Sequence, residues 1–135
     1  MNQTARLTLT LATLFYGFMP VLVDVSSTHL LHPAWSPHAR FHMVWLLSVG
    51  VSTACLALWL LWVRRNCILP GILGLLFTGG FFVAALTRNF YHGAFTDPGG
   101  VETELLGFDV GIFAFGGNLI VIAVSLAFLM REERA

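Results

Sequence analysis

The chain has 135 residues, of which 57% are hydrophobic and 10% are charged, and its mean hydropathy is +0.81. This composition excludes an ordinary soluble domain and indicates a membrane protein. The formal net charge is zero, and no basic patch points to a nucleic-acid partner.

Four apolar segments are long enough to cross a membrane. At a rise of about 1.5 Å per residue, each one covers the roughly 30 Å hydrocarbon core of a bilayer. The apolar stretches are 7–25, 43–63, 67–87 and 105–130, and the helices predicted from them have the approximate bounds 7–25, 37–63, 67–88 and 103–130. Since little chain remains outside them, the predicted fold class is an all-α integral membrane four-helix bundle, with residues 1–135 forming a single domain.

The first segment follows a basic residue, Arg6, as the apolar region of a secretory signal peptide does. It is longer than the about 7–15 apolar residues of a signal peptide, and no cleavage site of small residues follows it. We therefore expect it to remain as the first transmembrane helix.

The arginines indicate the orientation of this helix bundle. In a four-pass topology five of the seven arginines fall on the side of the termini: Arg6, Arg64, Arg65, Arg131 and Arg134. Basic residues are enriched in cytoplasmic loops, so we expect both termini to be cytoplasmic. The loop after the first helix and the acidic loop with Asp97, Glu102 and Glu104 then face outward.

The loop between the first two helices is rich in histidine, with four of the five histidines of the chain: His29, His32, His38 and His42. Imidazole changes charge near neutral pH and is the commonest metal ligand in proteins. Ser36 followed by Pro37 is typical of a helix start, which puts His38 and His42 one turn apart. The four histidines form a candidate metal site. A hydrated interfacial connector anchored by Trp35 is the alternative.

The four-pass topology also brings distant ionisable residues to one membrane level. Asp24 ends the first helix, His42 begins the second and Arg88 ends the third. We assign these three as catalytic candidates, in which His42 or Asp24 exchanges a proton and Arg88 holds an anionic group. Further ligand-binding candidates in the same layer are His38, Arg40, Trp45, Asp109 and His92. A structural ion pair, for example between Asp24 and Arg88, is the alternative.

Small or mildly polar residues recur at helical spacing and predict the faces on which the helices meet, because small residues allow close approach in lipid. The predicted faces are Thr10, Thr13, Gly17 and Asp24 on the first helix, His42, Trp45, Ser48, Ser52 and Cys55 on the second, and Gly71, Gly74, Thr78, Phe81, Ala85 and Arg88 on the third. On the fourth helix, Gly107 and Gly111 form a Gly-x-x-x-Gly pair on one face with Ala114 and Asn118. This face is a candidate surface for a second copy or a larger membrane partner.

Residues 28–42 contain the block Thr28-His29, Pro33-x-Trp35-x-Pro37-His38-Ala39-Arg40-Phe41-His42. It resembles the signature of a family of small uncharacterised polytopic membrane proteins, which implies no activity. Asp24 and Pro33-Ala34-Trp35 are also similar to the EXPERA group, the four-helix membrane fold of emopamil-binding sterol isomerases and sigma-2-type receptors. This second resemblance implies helices that enclose a lipophilic ligand, and an acidic residue within the second helix, where this chain has His42 and serines.

The sequence thus predicts an outward-facing polar site between the helices, which binds a lipophilic small molecule and catalyses isomerase-like acid–base chemistry on it. Membrane lipid and this small molecule are the expected partners. A metal- or haem-binding accessory module and a structural subunit of a larger membrane complex remain open as alternatives, and the sequence names no cofactor. Cys55 and Cys67 do not form a Cys-x-x-Cys motif, which excludes a dithiol redox centre of that kind.

Overall fold

The computed structural model describes residues 3–96 and 104–132. The described residues form four α-helices, a 3₁₀ turn and a short β-hairpin. The helices are α1 Gln3–Asp24, α2 Pro37–Trp62, α3 Ile68–Thr87 and α4 Val110–Glu132, the 3₁₀ turn is Arg88–Tyr91, and the strands are β1 Glu104–Leu105 and β2 Phe108–Asp109. All four helices are long and apolar enough to cross a membrane, so the chain is an integral multi-pass membrane protein.

The start of α2 confirms the helix start that Ser36 and Pro37 predict. Ser36 is the N-cap residue, and its hydroxyl accepts a hydrogen bond from the backbone N–H of Ala39 at 3.2 Å. Pro37 is the first helical residue, where its missing N–H costs nothing. This cap places the first turn of α2 within the predicted histidine-rich loop, ahead of the apolar run.

The start of α4 differs from the predicted bound, because the chain first forms a β-hairpin. Glu104 pairs with Asp109 and Leu105 with Phe108 in antiparallel register. Leu106 and Gly107 adopt left-handed backbone angles, with φ of 53° and 78°, as a two-residue turn that matches strand twist requires. Gly107 therefore lies in this turn rather than on a helix, and the predicted Gly-x-x-x-Gly face with Gly111 is wrong.

Helix α1 packs against each of the other three helices. Its closest approach is to α2, where a Cβ atom added at Gly17 would overlap the Cβ of Ala54. On α3, a Cβ added at Gly74 would lie 2.9 Å from the Ile122 side chain of α4. Glycine at these positions lets the helices approach closely, and the resulting packing favours helix association in lipid.

Within the described part of the chain, three side-chain hydrogen bonds cross between helices, and each joins a different pair. Thr8 and Ser125 join α1 to α4 at 2.7 Å, the Asn118 amide donates to Thr78 between α4 and α3 at 3.1 Å, and the Trp62 indole donates to Thr10 between α2 and α1 at 3.1 Å. In membranes such bonds contribute on average about 0.6 kcal/mol each. They add specificity to a bundle that glycine contacts hold together.

Burial confirms part of the predicted inward faces of α1 and α3, whose other members are half-buried. Thr13 and Gly17 are buried on α1, as are three of the predicted residues on α3: Gly71, Gly74 and Thr78. Of the residues predicted for the outer contact face of α4, Asn118 bonds to Thr78 of α3 and Gly111 lies against Phe81 of α3, whereas Ala114 is exposed.

The predicted inward face of α2 is wrong. Its members are all exposed, namely His42, Trp45, Ser48, Ser52 and Cys55. Instead, the buried residues of α2 are Gly50, Ala54, Ala57 and Leu61. The contact between Gly17 and Ala54 explains the difference, because close backbone approach selects the smallest residues and not the most polar ones.

Candidate functional site

Two adjoining cavities lie where α3 ends. The larger one, here called the hairpin cavity, has a volume of about 700 Å³ and lies between the end of α3 and the β-hairpin. The smaller one, here called the histidine cavity, has a volume of about 270 Å³. Their walls share Ala85, Arg88, Ala94 and Phe95.

Arg88 is the charged residue in the wall that the two cavities share. Its guanidinium donates a hydrogen bond from Nη1 to the Ala85 carbonyl at 2.6 Å and lies 5.2 Å from the centre of the Phe95 ring. The backbone and the aromatic ring thus fix its position. Among the described residues, no carboxylate comes within 4.0 Å of the guanidinium, so the alternative ion pair of Asp24 with Arg88 is not formed. Arg88 is the residue best placed to bind an anion.

Asp24 and His29 line the histidine cavity together. His29 Nε2 lies 3.9 Å from Asp24 Oδ1, and its other nitrogen, Nδ1, lies 3.0 Å from the hydroxyl of Thr28. The Thr28 hydroxyl is in turn 3.0 Å from that of Ser26. A carboxylate, an imidazole and two hydroxyls therefore lie near one another within six residues of chain, and the 3.9 Å between Asp24 and His29 is longer than a hydrogen bond.

The hairpin cavity contains two carboxylates. Glu104 and Asp109 are direct partners across the two strands, and both line the cavity together with Arg88. Like charges directly opposite each other destabilise a strand pair, and Arg88 in the same wall opposes that repulsion. Asp109 also accepts a hydrogen bond from the backbone N–H of Gly111 at 2.8 Å and so caps α4. Two further predicted acidic residues, Asp97 and Glu102, lie outside the described residues.

Aromatic side chains form part of the walls of both cavities. Phe81 lines the histidine cavity and stacks on Phe115 of α4, with ring centres 4.4 Å apart. Phe82 and Phe108 line the hairpin cavity. Tyr91 folds back over the end of α3 and donates from its hydroxyl to the Ala84 carbonyl at 2.7 Å.

No family model matches the chain. Neither the curated proteins nor the solved structures gave a match. The resemblance of residues 28–42 to a family of small membrane proteins, and that of the bundle to the EXPERA group, therefore stay predictions, and the function has to be argued from the site.

Three predicted site residues lie on the exposed face of α2, outside the walls of both cavities. These are His38, His42 and Trp45. The two imidazoles contact each other, with 3.0 Å between their Nε2 atoms, and the Trp45 ring lies 5.8 Å from that of His42. The structure therefore joins Asp24 to Arg88 through the histidine cavity but does not bring His42 to them.

The remaining predicted residues have structural contacts. Arg40 donates from Nη2 to the His32 carbonyl at 2.9 Å, which fixes the histidine-rich loop against α2. His32 accepts a hydrogen bond at Nδ1 from the backbone N–H of Ala34 at 3.2 Å. His92 is exposed and has a left-handed backbone, and it closes the 3₁₀ turn through a bond from its N–H to the Arg88 carbonyl.

The four predicted metal ligands do not converge. His29 lies beside Asp24, His32 bonds to the backbone, and His38 contacts His42. Within residues 3–96 and 104–132, no group of three or more histidine, cysteine or acidic side chains is arranged to hold a metal ion.

The sequence did not single out Phe95 and Tyr91 as members of the site, and it placed Glu104 only in the outward acidic loop. Phe95 and Tyr91 depend on the 3₁₀ turn that follows α3, and Glu104 depends on the hairpin. A hydropathy profile contains no signal for either element. His29 was named only as a metal ligand, although its position five residues after Asp24 was a signal that the two could meet just beyond the end of α1.

Proposed function

We propose that this integral membrane protein binds a lipophilic small molecule, holds its polar group on Arg88 and exchanges a proton with it through Asp24 and His29. One observation carries the proposal: Arg88 lies in the wall shared by two adjoining cavities, and one of them contains the Asp24–His29 pair. The reaction class is isomerase-like, with a proton removed from one position of the ligand and returned at another.

Binding is supported by the size and chemistry of the cavities. Small-molecule sites have volumes of roughly 300–1,000 Å³ and apolar walls with few polar groups, and the hairpin cavity has about 700 Å³ with phenylalanine side chains in its wall. Arg88 has guanidinium donors beyond the one bonded to Ala85, and they suit an anionic or strongly polar head group. Glu104 and Asp109 suit a hydroxyl or amine on the same molecule.

Proton exchange is supported by the series from Asp24 to Ser26. Carboxylate and imidazole groups are effective general acids and bases when their protonation changes near ambient pH. The carboxylate of Asp24 near Nε2 and the hydroxyl near Nδ1 limit rotation of the His29 ring. In this proposal His29 takes the role that the sequence assigned to His42, because His29 lines the cavity.

The proposed site faces outward and both termini are cytoplasmic. Support comes from the arginine distribution and from the hydrogen bond between Thr8, early in α1, and Ser125, late in α4. That bond is compatible with an even number of membrane crossings.

The binding part of the proposal is tested by native mass spectrometry of the full chain, purified in mild detergent. We expect a bound small molecule that is retained by the wild type and lost from the Arg88→Gln variant. The matched control is Arg64→Gln, since Arg64 is an exposed arginine that lies over the ring of Trp59, away from both cavities. Equal retention by both variants would overturn the assignment of Arg88.

The proton-exchange part is tested with the ligand that this experiment identifies. Incubation in deuterated water should introduce deuterium into the ligand when wild-type protein is present. Asp24→Asn and His29→Gln should slow that exchange while leaving binding to Arg88 in place. Exchange at the wild-type rate in both variants would restrict the function to binding.

The two alternative functions have less support. The assembly subunit was motivated by a Gly107 and Gly111 helix face, and Gly107 lies in a turn instead. The metal or haem module was motivated by four histidines, of which only His38 and His42 meet.

A further inference from the structure

Two imidazole rings contact each other on the first turns of α2, outside both cavities. His38 and His42 are separated by one helical turn, so their side chains lie on the same face of the helix. Both are exposed, and their Nε2 atoms are 3.0 Å apart. Neither ring has a role in the proposed function.

The distance between the two nitrogens matches that of two ligands on one metal ion. Metal–nitrogen bonds of about 2.0–2.1 Å place two such nitrogens about 2.9 Å apart at a right angle and about 3.4 Å apart at a tetrahedral angle. The observed 3.0 Å lies between these values. The ring centres are only 4.5 Å apart, so the nitrogens do not point at each other along one line.

The surroundings hold the pair in place. The Ser36 cap fixes the first turn of α2, and the rings of Phe41 and Trp45 each lie 5.8 Å from that of His42. Without metal, one imidazole donates to the other through Nε2. Coordination by both Nε2 atoms requires both rings to carry their proton on Nδ1, so that the donor ring changes its tautomer.

We infer that His38 and His42 form a two-ligand site for a divalent transition metal such as Zn²⁺ or Cu²⁺, with water in the remaining positions. Imidazole suits these metals. Mg²⁺ and Ca²⁺ prefer oxygen ligands from the protein, which the two imidazoles do not supply. No third histidine, cysteine or acidic side chain joins the pair among the described residues. A structural metal site is closed by four protein ligands, so this one is exchangeable and keeps positions open for a ligand from outside the chain.

The site is tested by calorimetric titration of the full, tag-free chain in detergent with Zn²⁺ alone. We expect one ion per chain. His38→Gln and His42→Gln should each weaken binding by about tenfold or more, because losing even a hydrogen-bond partner of a metal ligand costs about 10- to 100-fold. His32→Gln and His92→Gln are the matched controls and should leave the affinity unchanged. Equal affinity of wild type and the double variant of His38 and His42 would overturn the inference, and so would equal losses in the two controls.

A second measurement does not depend on the folding of any histidine variant. Electron paramagnetic resonance of Cu²⁺ added to the wild-type chain should show hyperfine coupling to two imidazole nitrogens. Since the Trp45 ring is 5.8 Å from that of His42, Cu²⁺ should also quench tryptophan fluorescence more in the wild type than in Trp45→Phe. A spectrum without nitrogen coupling, or the same quenching in Trp45→Phe as in wild type, would count against the site.

Discussion

Substitution of Gly17 by alanine should destabilise the bundle through a single contact. The added Cβ atom would overlap that of Ala54, which is fully buried at the meeting of α1 and α2. Because a Cβ atom is fixed to its backbone, neither methyl can rotate away, and the two helices must separate. Overpacking a packed interior costs typically about 1–3 kcal/mol, so we expect Gly17→Ala to lower the free energy of unfolding by about 2 kcal/mol.

A double-mutant cycle isolates this contact. Ala54→Gly alone should cost about 1 kcal/mol through added backbone freedom and lost packing. In its presence Gly17→Ala should cost nothing, since the methyl that it would meet has been removed. The two substitutions should therefore show a favourable coupling energy of about 2 kcal/mol.

The assay is reversible unfolding of the chain in mild detergent by added sodium dodecyl sulfate, followed by circular dichroism. Gly80→Ala is the matched control, because a Cβ added at Gly80 of α3 meets no atom of the described residues within 4 Å. Replacing glycine by alanine lowers the conformational entropy of the unfolded chain, so we expect an unchanged or slightly higher free energy of unfolding for this control. If Gly17→Ala unfolds at the same sodium dodecyl sulfate content as the wild type, the close packing of α1 on α2 is refuted. It is also refuted if Ala54→Gly does not restore the stability lost in Gly17→Ala.

Three further outcomes follow from other contacts. Thr78→Val removes the acceptor of the buried Asn118 amide and should lower the stability in the same assay by about 0.6–1.7 kcal/mol, and an unchanged midpoint would show that the bond is not formed. Burial raises the pKa of the Cys67 thiol. In a Cys55→Ala background we therefore expect maleimide to label the folded protein slowly near neutral pH and faster as the pH rises. The denatured protein should be labelled fast at every pH. Gly107→Ala places a side chain at a φ of 78° and should destabilise the hairpin by about 1–2 kcal/mol, which hydrogen exchange of the strand amides would detect as lost protection.

Much of the fold was predictable from the sequence because the bilayer imposes a length on each helix. The bounds of α2 and α3 agree with the predicted helix bounds to within a residue, and the sequence of Ser36 and Pro37 predicted the cap of α2. The start of α4 was not, because Leu105 and Leu106 continue the apolar run of the helix although they belong to a hairpin. Hydropathy measures the preference for lipid and does not distinguish a strand or turn from a helix at the membrane boundary.

The orientation of α2 about its own axis was the other failure. In water, polarity separates inside from outside, but in lipid both the interior and the exterior of a bundle are apolar. The serines of α2 therefore gave no guidance, and the contact of Ala54 with Gly17 decided the face. The predicted site was correct in one part and wrong in another. Asp24 and Arg88 lie at the ends of two helices and line one cavity, as predicted. His42 lies outside that cavity because α2 turns a different face inward than the one predicted.

The proposed acid–base pair and its neighbouring cation have different origins in the chain. Asp24 and His29 are five residues apart in one continuous stretch, whereas Arg88 belongs to the end of α3. A small tilt of α3 relative to α1 would therefore change the separation between cation and proton donor while leaving each group intact. The proposed proton exchange would thus depend on the tilt of α3 in the membrane, because rigid-body movement of that one helix shifts Arg88 relative to the Asp24–His29 pair.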